Sequence, residues 1–360
     1  MKRRMYTFIL LILCLTFVAE AQENVPLQEI KTKMELQKEN LDHRLDMLSK
    51  QIDDVLWYQK VGDVAWIDKL YIYGPPPWKE KNPTSMSAGN PVKFWTYAFF
   101  PKNLDTSKKY PLIILPHGGV HADFTTYHTH IVRELVAQGY VVAAPEYRGS
   151  TGYGKGFYEK IDYGGRENDD ILATRNYMLE TYRFLDKDRV GLMGWSHGGM
   201  IALMNIFDHP DDYQVCFAGV PVSDLIARLG YHQQDYSDEF SADYHLGQTV
   251  YDNVEEYKKR SPAWNTRKFR NTPLLIHTNT NDDDVNVLEV EHLIKSLKAD
   301  GKKFEYEIFQ EVPGGHSFDR MDTPEAKKIR VKIYKFLGKT LKPANQINTE
   351  EELQKAGYRF

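Results

Sequence analysis

Val190-Gly191-Leu192-Met193-Gly194-Trp195-Ser196-His197-Gly198-Gly199 is an apolar run that ends in a glycine-flanked serine and passes into a helix-like segment. It has the form of a nucleophile elbow. The pattern G-x-S-x-G puts a serine on a strained turn between strand and helix, where only glycines leave room for the neighbouring backbone and the hydroxyl projects beyond the sheet. Ser196 is therefore the candidate nucleophile. A glycine-rich turn without chemistry has the same local sequence, so its partners decide.

A serine hydroxyl needs a base to take its proton, and the base needs a carboxylate to fix its tautomer and stabilise its cation. In this architecture they follow in the order Ser, Asp, His, each in a loop after a later strand. Asp282 follows the strand-like Leu274-Leu275-Ile276-His277, with Asp283 and Asp284 beside it. Three adjacent acids also suit a solvated loop or a hard-cation site, but such a site needs further oxygen ligands at ordered spacing, and none follow. His316 lies in Val312-Pro313-Gly314-Gly315-His316-Ser317-Phe318, after a strand ending near Phe309. Its two glycines let the loop carry an imidazole over the serine; a surface histidine is the alternative. The oxyanion needs two N–H donors, one from His197 and one from Gly118 or Gly119 in the Pro116-His117-Gly118-Gly119 turn. His117, His121, His128 and His130 raise the question of zinc, yet turn chemistry accounts for the glycines and metal binding does not. The sequence calls for no metal and no organic cofactor.

Around these residues strand-like and helix-like segments alternate. Val92–Phe100, Leu112–Leu115, Val141–Ala144, Val190–Met193, Leu274–His277 and Phe304–Phe309 read as strands. Helices are expected near 127–138, 169–184, after Ser196, at 287–299 and at 324–341. This is the rhythm of an α/β fold with a mostly parallel, doubly wound sheet, and its continuously apolar strands fit a sheet covered on both faces. The catalytic domain is placed at 91–342, with 222–272 as a candidate cap insertion that carries Tyr231, Tyr236, Phe240, Tyr244, Tyr251 and Tyr257. Those aromatics either wall a pocket or pack helices on the sheet edge. Residues 343–360 read as a poorly ordered or docked tail.

Residues 22–90 read as a helical arm and linker. Leu27, Met34, Leu41, Leu48 and Val55 recur every seven residues in one helix that ends near Trp57, supported by Ile30, Leu45, Ile52 and Leu56. The stripe suits either folding onto the chain's own domain or self-association through the arm. Ahead of it, Lys2, Arg3 and Arg4, an apolar run to Val18 and Ala19-Glu20-Ala21 form the pattern of a secretory signal cleaved after Ala21. The apolar run is too short for a permanent membrane helix, so stable membrane insertion is not expected. Nor does bulky Leu13 before Cys14 suit a lipid anchor. The expected address is exported, periplasmic or extracellular. Loss of the signal leaves Cys216 as the one cysteine, so the core must hold the fold without a disulfide. A net charge of -4 and the lack of a basic patch exclude a nucleic-acid partner.

From about Lys93 to Leu341 the chain resembles the catalytic domain of the prolyl oligopeptidase family of serine peptidases. The resemblance rests on His117-Gly118-Gly119, Tyr147-Arg148-Gly149-Ser150-Thr151-Gly152-Tyr153-Gly154, the elbow, Pro221-Val222-Ser223-Asp224, Ser261-Pro262 and Thr272-Pro273-Leu274-Leu275-Ile276-His277. It implies an α/β-hydrolase fold, and its Asp-x-x-Val motif maps the acid onto Asp282 before Val285, with Asp283 as the fallback. The chain departs from the family's pattern in places. The His-Gly-Thr lead-in is His277-Thr278-Asn279-Thr280-Asn281, the usual tyrosine after the nucleophile is His197, and the common proline after the glycine pair is Val120. Peptidases of this family usually carry an N-terminal β-propeller, and residues 22–90 are too few for one, since a single blade takes about 40–45 residues.

The expected activity is that of an exported serine hydrolase cleaving peptide or acyl-peptide bonds through an acyl-enzyme, with Ser196, His316 and Asp282 as the triad. A carboxylesterase for acylated carbohydrates shares the same tetrahedral intermediate, and a non-catalytic binding protein shares the fold; the triad residue types speak against the latter.

Overall fold

The computed structural model describes residues 2–80 and 82–357, with side chains from Leu27 onward. The signal-like segment and Cys14 therefore lie outside the described side chains. Among the described residues no helix is long and apolar enough to cross a membrane.

A long helix, α1 (Lys2–Val61), leads into β1 (Ala65–Gly74), β2 (Val92–Pro101) and β3 (Tyr110–Ile114). Then follow α2 (Thr129–Gln138), β4 (Val141–Glu146), α3 (Lys155–Tyr158), α4 (Arg166–Thr181), β5 (Leu185–Trp195), α5 (His197–Asp208) and β6 (Val215–Gly219). Three short helices, α6 (Leu225–Tyr231), α7 (Gln234–Ser241) and α8 (Val254–Lys259), precede β7 (Leu274–Asn279). The chain closes with α9 (Val287–Ala299), β8 (Glu305–Phe309), α10 (Pro324–Leu341) and α11 (Glu350–Ala356).

The eight strands form one sheet in the order β1-β2-β4-β3-β5-β6-β7-β8. Pairing is antiparallel for β1–β2 and β2–β4 and parallel from β4 to β8. Alternate residues of each central strand feed two different cores, as the pleat requires. Leu112, Ile114 and Leu192 face a cluster with Ile171 of α4, Ile201 of α5 and Leu293 of α9. Ile113, Leu115 and Met193 face the other, with Leu135 of α2 and Leu337 of α10. Both faces are apolar because both are covered, which is why these strands read as unbroken hydrophobic runs.

Two features differ from expectation. The linker of the 22–90 segment contains a full strand, β1, paired over its length with β2, so the sheet begins before residue 91. And α1 docks by a different face from the one its spacing suggested. Leu27, Met34, Leu41, Leu48 and Val55 are all exposed, whereas Trp57, Val61 and Lys50 are buried. Trp57 stacks on Phe124 in the second core. The Asp53 carboxylate accepts from the Thr126 hydroxyl at 2.7 Å, and Asp54 pairs with Lys69 at 2.6 Å. The tail is docked: α11 opens with a Thr349–Glu352 capping box and buries Leu353.

Candidate active site

β5 ends at Trp195 and α5 begins at His197, so Ser196 is the single residue of the turn between them. It sits at φ 58°, ψ −125°, a conformation that costs a non-glycine residue about 1–3 kcal/mol. The neighbourhood holds it there. Its N–H donates to the Gly219 carbonyl at 3.0 Å, and its carbonyl accepts from Val222 at 3.2 Å and Met200 at 3.0 Å. The glycines are steric necessities. A Cβ on Gly194 would fall onto the Gly198 carbonyl, and one on Gly198 onto the Pro116 carbonyl.

The Pro116–Gly119 turn lies against this elbow: a Cβ on Gly118 would stand 3.2 Å from Ser196 Cβ. The carbonyls of Gly118 and Gly119 are taken by imidazoles, Gly118 O by His117 Nδ1 at 3.0 Å and Gly119 O by His197 Nδ1 at 2.9 Å. The N–H groups of Gly118, Gly119 and His197 donate to no acceptor among the described residues. Backbone N–H groups without an acceptor are what an oxyanion hole would be built from.

Asp282 and His316 are brought together. Asp282 Oδ2 lies 2.8 Å from His316 Nδ1, and its Oδ1 accepts the N–H groups of Asp284 and Val285, each at 2.9 Å. The carboxylate is thus fixed by its own turn and fully buried, while the His316 side chain keeps 22% of its surface exposed. His316 sits in a short 3-10 turn entered through Gly314 at φ 108°, a conformation that favours glycine. That loop is tied to the elbow, since Asp319 Oδ2 accepts the Trp195 indole N–H at 2.8 Å. The structure does not join Ser196 Oγ to His316 Nε2 by a hydrogen bond. Instead Nε2 lies 3.7 Å from Asp284 Oδ2. Asp283 is exposed and makes no hydrogen bond or ion pair among the described residues. The three neighbouring acids therefore have three different fates.

Several residues at the site had no signal in the sequence. Arg228 of α6 is buried and holds Asp284 at 2.6 Å and Glu289 at 3.2 Å, with the Tyr231 and Tyr236 hydroxyls completing its shell. The aromatics of the 222–272 stretch thus divide: Tyr231 and Tyr236 reach this polar cluster, whereas Phe240 and Tyr257 pack into the core. Under the glycine turn, Glu167 of α4 lies 3.0 Å from His197 Nε2, both side chains fully buried. Farther out, Lys50 of α1 is inserted between Glu146 and Asp123, 2.9 Å from the latter, and donates to Phe124 O at 2.8 Å. His117 Nε2 faces Glu146 at 3.6 Å and Ser150 Oγ at 2.9 Å. Burial drives the two imidazoles toward neutrality, His117 down to about 4 and His197 down to about 3. It pushes Glu146 up to about 7 even against Lys50.

The four histidines near the glycine turn do not converge. His121 faces the Gly149 carbonyl, His128 that of Thr125 and His130 that of Arg320. Among the described residues no three His, Cys, Asp or Glu side chains form a group able to hold a metal ion.

Known proteins resemble this chain in sequence and fold. The family model described as the prolyl oligopeptidase family matches residues 126–344. Dipeptidyl peptidase 8 of Mus musculus is 30% identical over 256 residues, which is 68% of this chain and 27% of that protein. The acylamino-acid-releasing enzyme of Mus musculus is 28% identical over 174 residues, 48% of this chain and 23% of its own length. The chain thus spans about a quarter of each of these relatives. The crystal structure of Porphyromonas gingivalis dipeptidyl peptidase 4 superposes with a TM-score of 0.61 at 21% identity, over 77% of this chain and 36% of that one. The eight-stranded, mostly parallel sheet with its serine turn is an α/β-hydrolase fold, and with the family's domain covering residues 126–344 the chain belongs to the prolyl oligopeptidase family.

Proposed function

We propose that the protein is a serine hydrolase that cleaves peptide or acyl-peptide bonds through an acyl-enzyme. The observation that carries this reading is the 2.8 Å contact of buried Asp282 with His316, in a loop that Asp319 ties to the residue before Ser196, together with the strain of Ser196 at φ 58°. Ser196 Oγ attacks the substrate carbonyl and His316 Nε2 takes its proton. Asp282 holds the imidazole through Nδ1 and stabilises the imidazolium. The tetrahedral oxyanion receives the N–H groups of His197 and of Gly118 or Gly119. On collapse His316 hands the proton to the leaving amine, and water repeats the sequence to free the acid. That Ser196 and His316 share no hydrogen bond is ordinary for a site without substrate, since catalytic hydrogen bonds often tighten only in the complex. Peptide substrates are favoured over esters because the relatives named above are a dipeptidyl peptidase and an acylamino-acid-releasing enzyme.

The test is covalent labelling by a fluorophosphonate followed by intact mass. One adduct is expected on the wild type and none on Ser196→Ala. An unlabelled wild type, beside a labelled control hydrolase, overturns the assignment. Turnover of acetyl or feruloyl esters with none of aminoacyl-anilides or acyl-peptides would leave the triad standing and refute the peptidase reading.

Two finer proposals accompany it. The chain is exported and cleaved after Ala21, which an intact mass beginning at Gln22 checks in an exporting host. The outward stripe of α1 pairs copies of the chain, so Leu41→Ser with Leu48→Ser shifts the gel-filtration volume toward the monomer if it does.

A further inference from the structure

We propose that His197 serves as a positioning residue, its side chain clamping the Gly118–Gly119 turn to the nucleophile turn through the Gly119 carbonyl, with the carboxyl proton of Glu167 donated to its Nε2. The inference rests on the oxyanion reading above and adds to it what fixes the distance between the two donors.

Hydrogen-bond accounting leads there. A carbonyl only accepts, so the 2.9 Å contact between His197 Nδ1 and Gly119 O places a proton on Nδ1. A neutral imidazole then presents Nε2 as an acceptor, and its one partner at 3.0 Å is Glu167 Oε1. Two lone pairs cannot share that contact, so the proton belongs to the carboxyl. The alternative, an imidazolium against a carboxylate, has the Gly164 N–H on its side, which donates to Glu167 Oε1, but finds no cation or counter-charge dedicated to the pair. Tyr163 stacks on the ring at 3.8 Å and Tyr147 stands 3.3 Å from Nδ1. The nearby cations are committed elsewhere, Arg260 to Asp162 at 2.6 Å and Arg228 to Asp284 and Glu289. His117 and His245 are themselves buried and driven toward neutrality. Glu167 Oε2 is buried without a partner, which a carbonyl oxygen tolerates far better than a charged one. Burial, with Asp162 close by, also holds this carboxyl well above the usual range.

The consequence is structural at the reacting centre. The backbone N–H and the imidazole of the same residue serve two jobs: the N–H faces the oxyanion, and the ring draws in the turn that supplies the second donor. Losing the clamp loosens a donor without deleting it, so the expected loss is nearer tenfold in kcat than the roughly 10²–10³ that follows removal of a donor.

The test uses the full chain and hydrolysis that Ser196→Ala abolishes. Glu167→Gln keeps an N–H toward Nε2 and is expected to retain kcat within about threefold. Glu167→Leu and His197→Phe are expected to lower kcat about tenfold or more while KM moves less than twofold. Equal losses in Glu167→Gln and Glu167→Leu, or an unchanged kcat in His197→Phe, overturn the proposal. Long-range ¹H–¹⁵N spectra of the imidazoles, assigned with His197→Asn, give a readout without activity. A neutral Nδ1–H tautomer for His197 at pH 7 is expected, and a doubly protonated ring overturns the clamp. If the wild type shows no Ser196-dependent turnover, the triad reading fails, and the tautomer still decides the clamp.

Discussion

The proposed mechanism draws both His197 and His316 to Ser196, and the two imidazoles are set in different surroundings. His197 follows the nucleophile directly, has no exposed surface and spends both ring nitrogens on the Gly119 carbonyl and Glu167. His316 comes from a loop opened by two glycines, is partly exposed, and spends one nitrogen on Asp282 while the other keeps only a long approach to Asp284. Burial makes the first imidazole a neutral strut, because charging it there would cost several kcal/mol without a dedicated counter-ion. The second is partly exposed, held through Nδ1 by a fixed carboxylate, and its Nε2 has no contact shorter than the 3.7 Å approach to Asp284 among the described residues. On the proposed mechanism a closed half holds donors in place and an open half moves protons, a division of labour the protein can be tested for.

The largest effect is expected on the open half. Asp282→Asn keeps the shape of the turn but no longer stabilises an imidazolium, and its amide can donate to Nδ1 and favour the wrong tautomer. A fall in kcat of about 10²–10⁴ is expected, with KM changed little. Steady-state kinetics with the anilide substrates checks it. A loss under tenfold would mean that the 2.8 Å contact is not what orients His316, and the contrast between the halves would lose its acidic partner.

Next is the closed half, approached from its far end. Lys50 is the cation for Glu146 and Asp123, and Glu146 also receives the Phe124 N–H at 3.1 Å. Lys50→Met leaves the fully buried Glu146 and the half-buried Asp123 without their cation, at a cost of about 3–5 kcal/mol in unfolding free energy. The cost should depend on pH. Burial raises the Glu146 carboxyl from 4.5 in the unfolded chain to about 7, so the folded state binds more protons in that window and stability falls as pH rises through it. Without Lys50 the ionised form is harder still to keep, so the deficit of Lys50→Met is larger at pH 8.5 than at pH 5.5. Urea unfolding at the two values checks the sign; an equal or smaller deficit at pH 8.5 would show that Glu146 does not titrate in the fold.

The two halves were also unequally legible in the sequence. The open half announces itself: Ser196 between glycines, Asp282 after one apolar strand and His316 after the next are local patterns, and their order alone ties them together. The closed half does not. Lys50 reads as one more charge on a helix and Glu167 as one of five polar residues opening another, and their meaning comes from partners distant in the chain. The same holds for α1, where the seven-residue spacing is real but the docked face is chosen by Lys50, Trp57 and Val61. For β1 the signal was present, in Trp66, Ile67, Leu70, Tyr71, Ile72 and Tyr73, and it was masked by the Gly74-Pro75-Pro76-Pro77 run that follows.

The smallest expected effect sharpens the open half most. Asp283 stands between Asp282, buried and bonded to His316, and Asp284, bound to Arg228, yet its own side chain is exposed and has no partner among the described residues. A charge in water a few ångströms from the imidazolium is worth at most about 1 kcal/mol and is further screened by salt. Asp283→Asn is therefore expected to change kcat/KM less than about threefold, and stability by no more than about 0.5 kcal/mol. Measured beside Asp282→Asn on the same substrate, it separates orientation from mere acidity: both variants remove one negative charge from the same loop, and only one removes a hydrogen bond. Comparable losses in the two would mean that the loop acts through its field, and that the 2.8 Å contact is incidental to it.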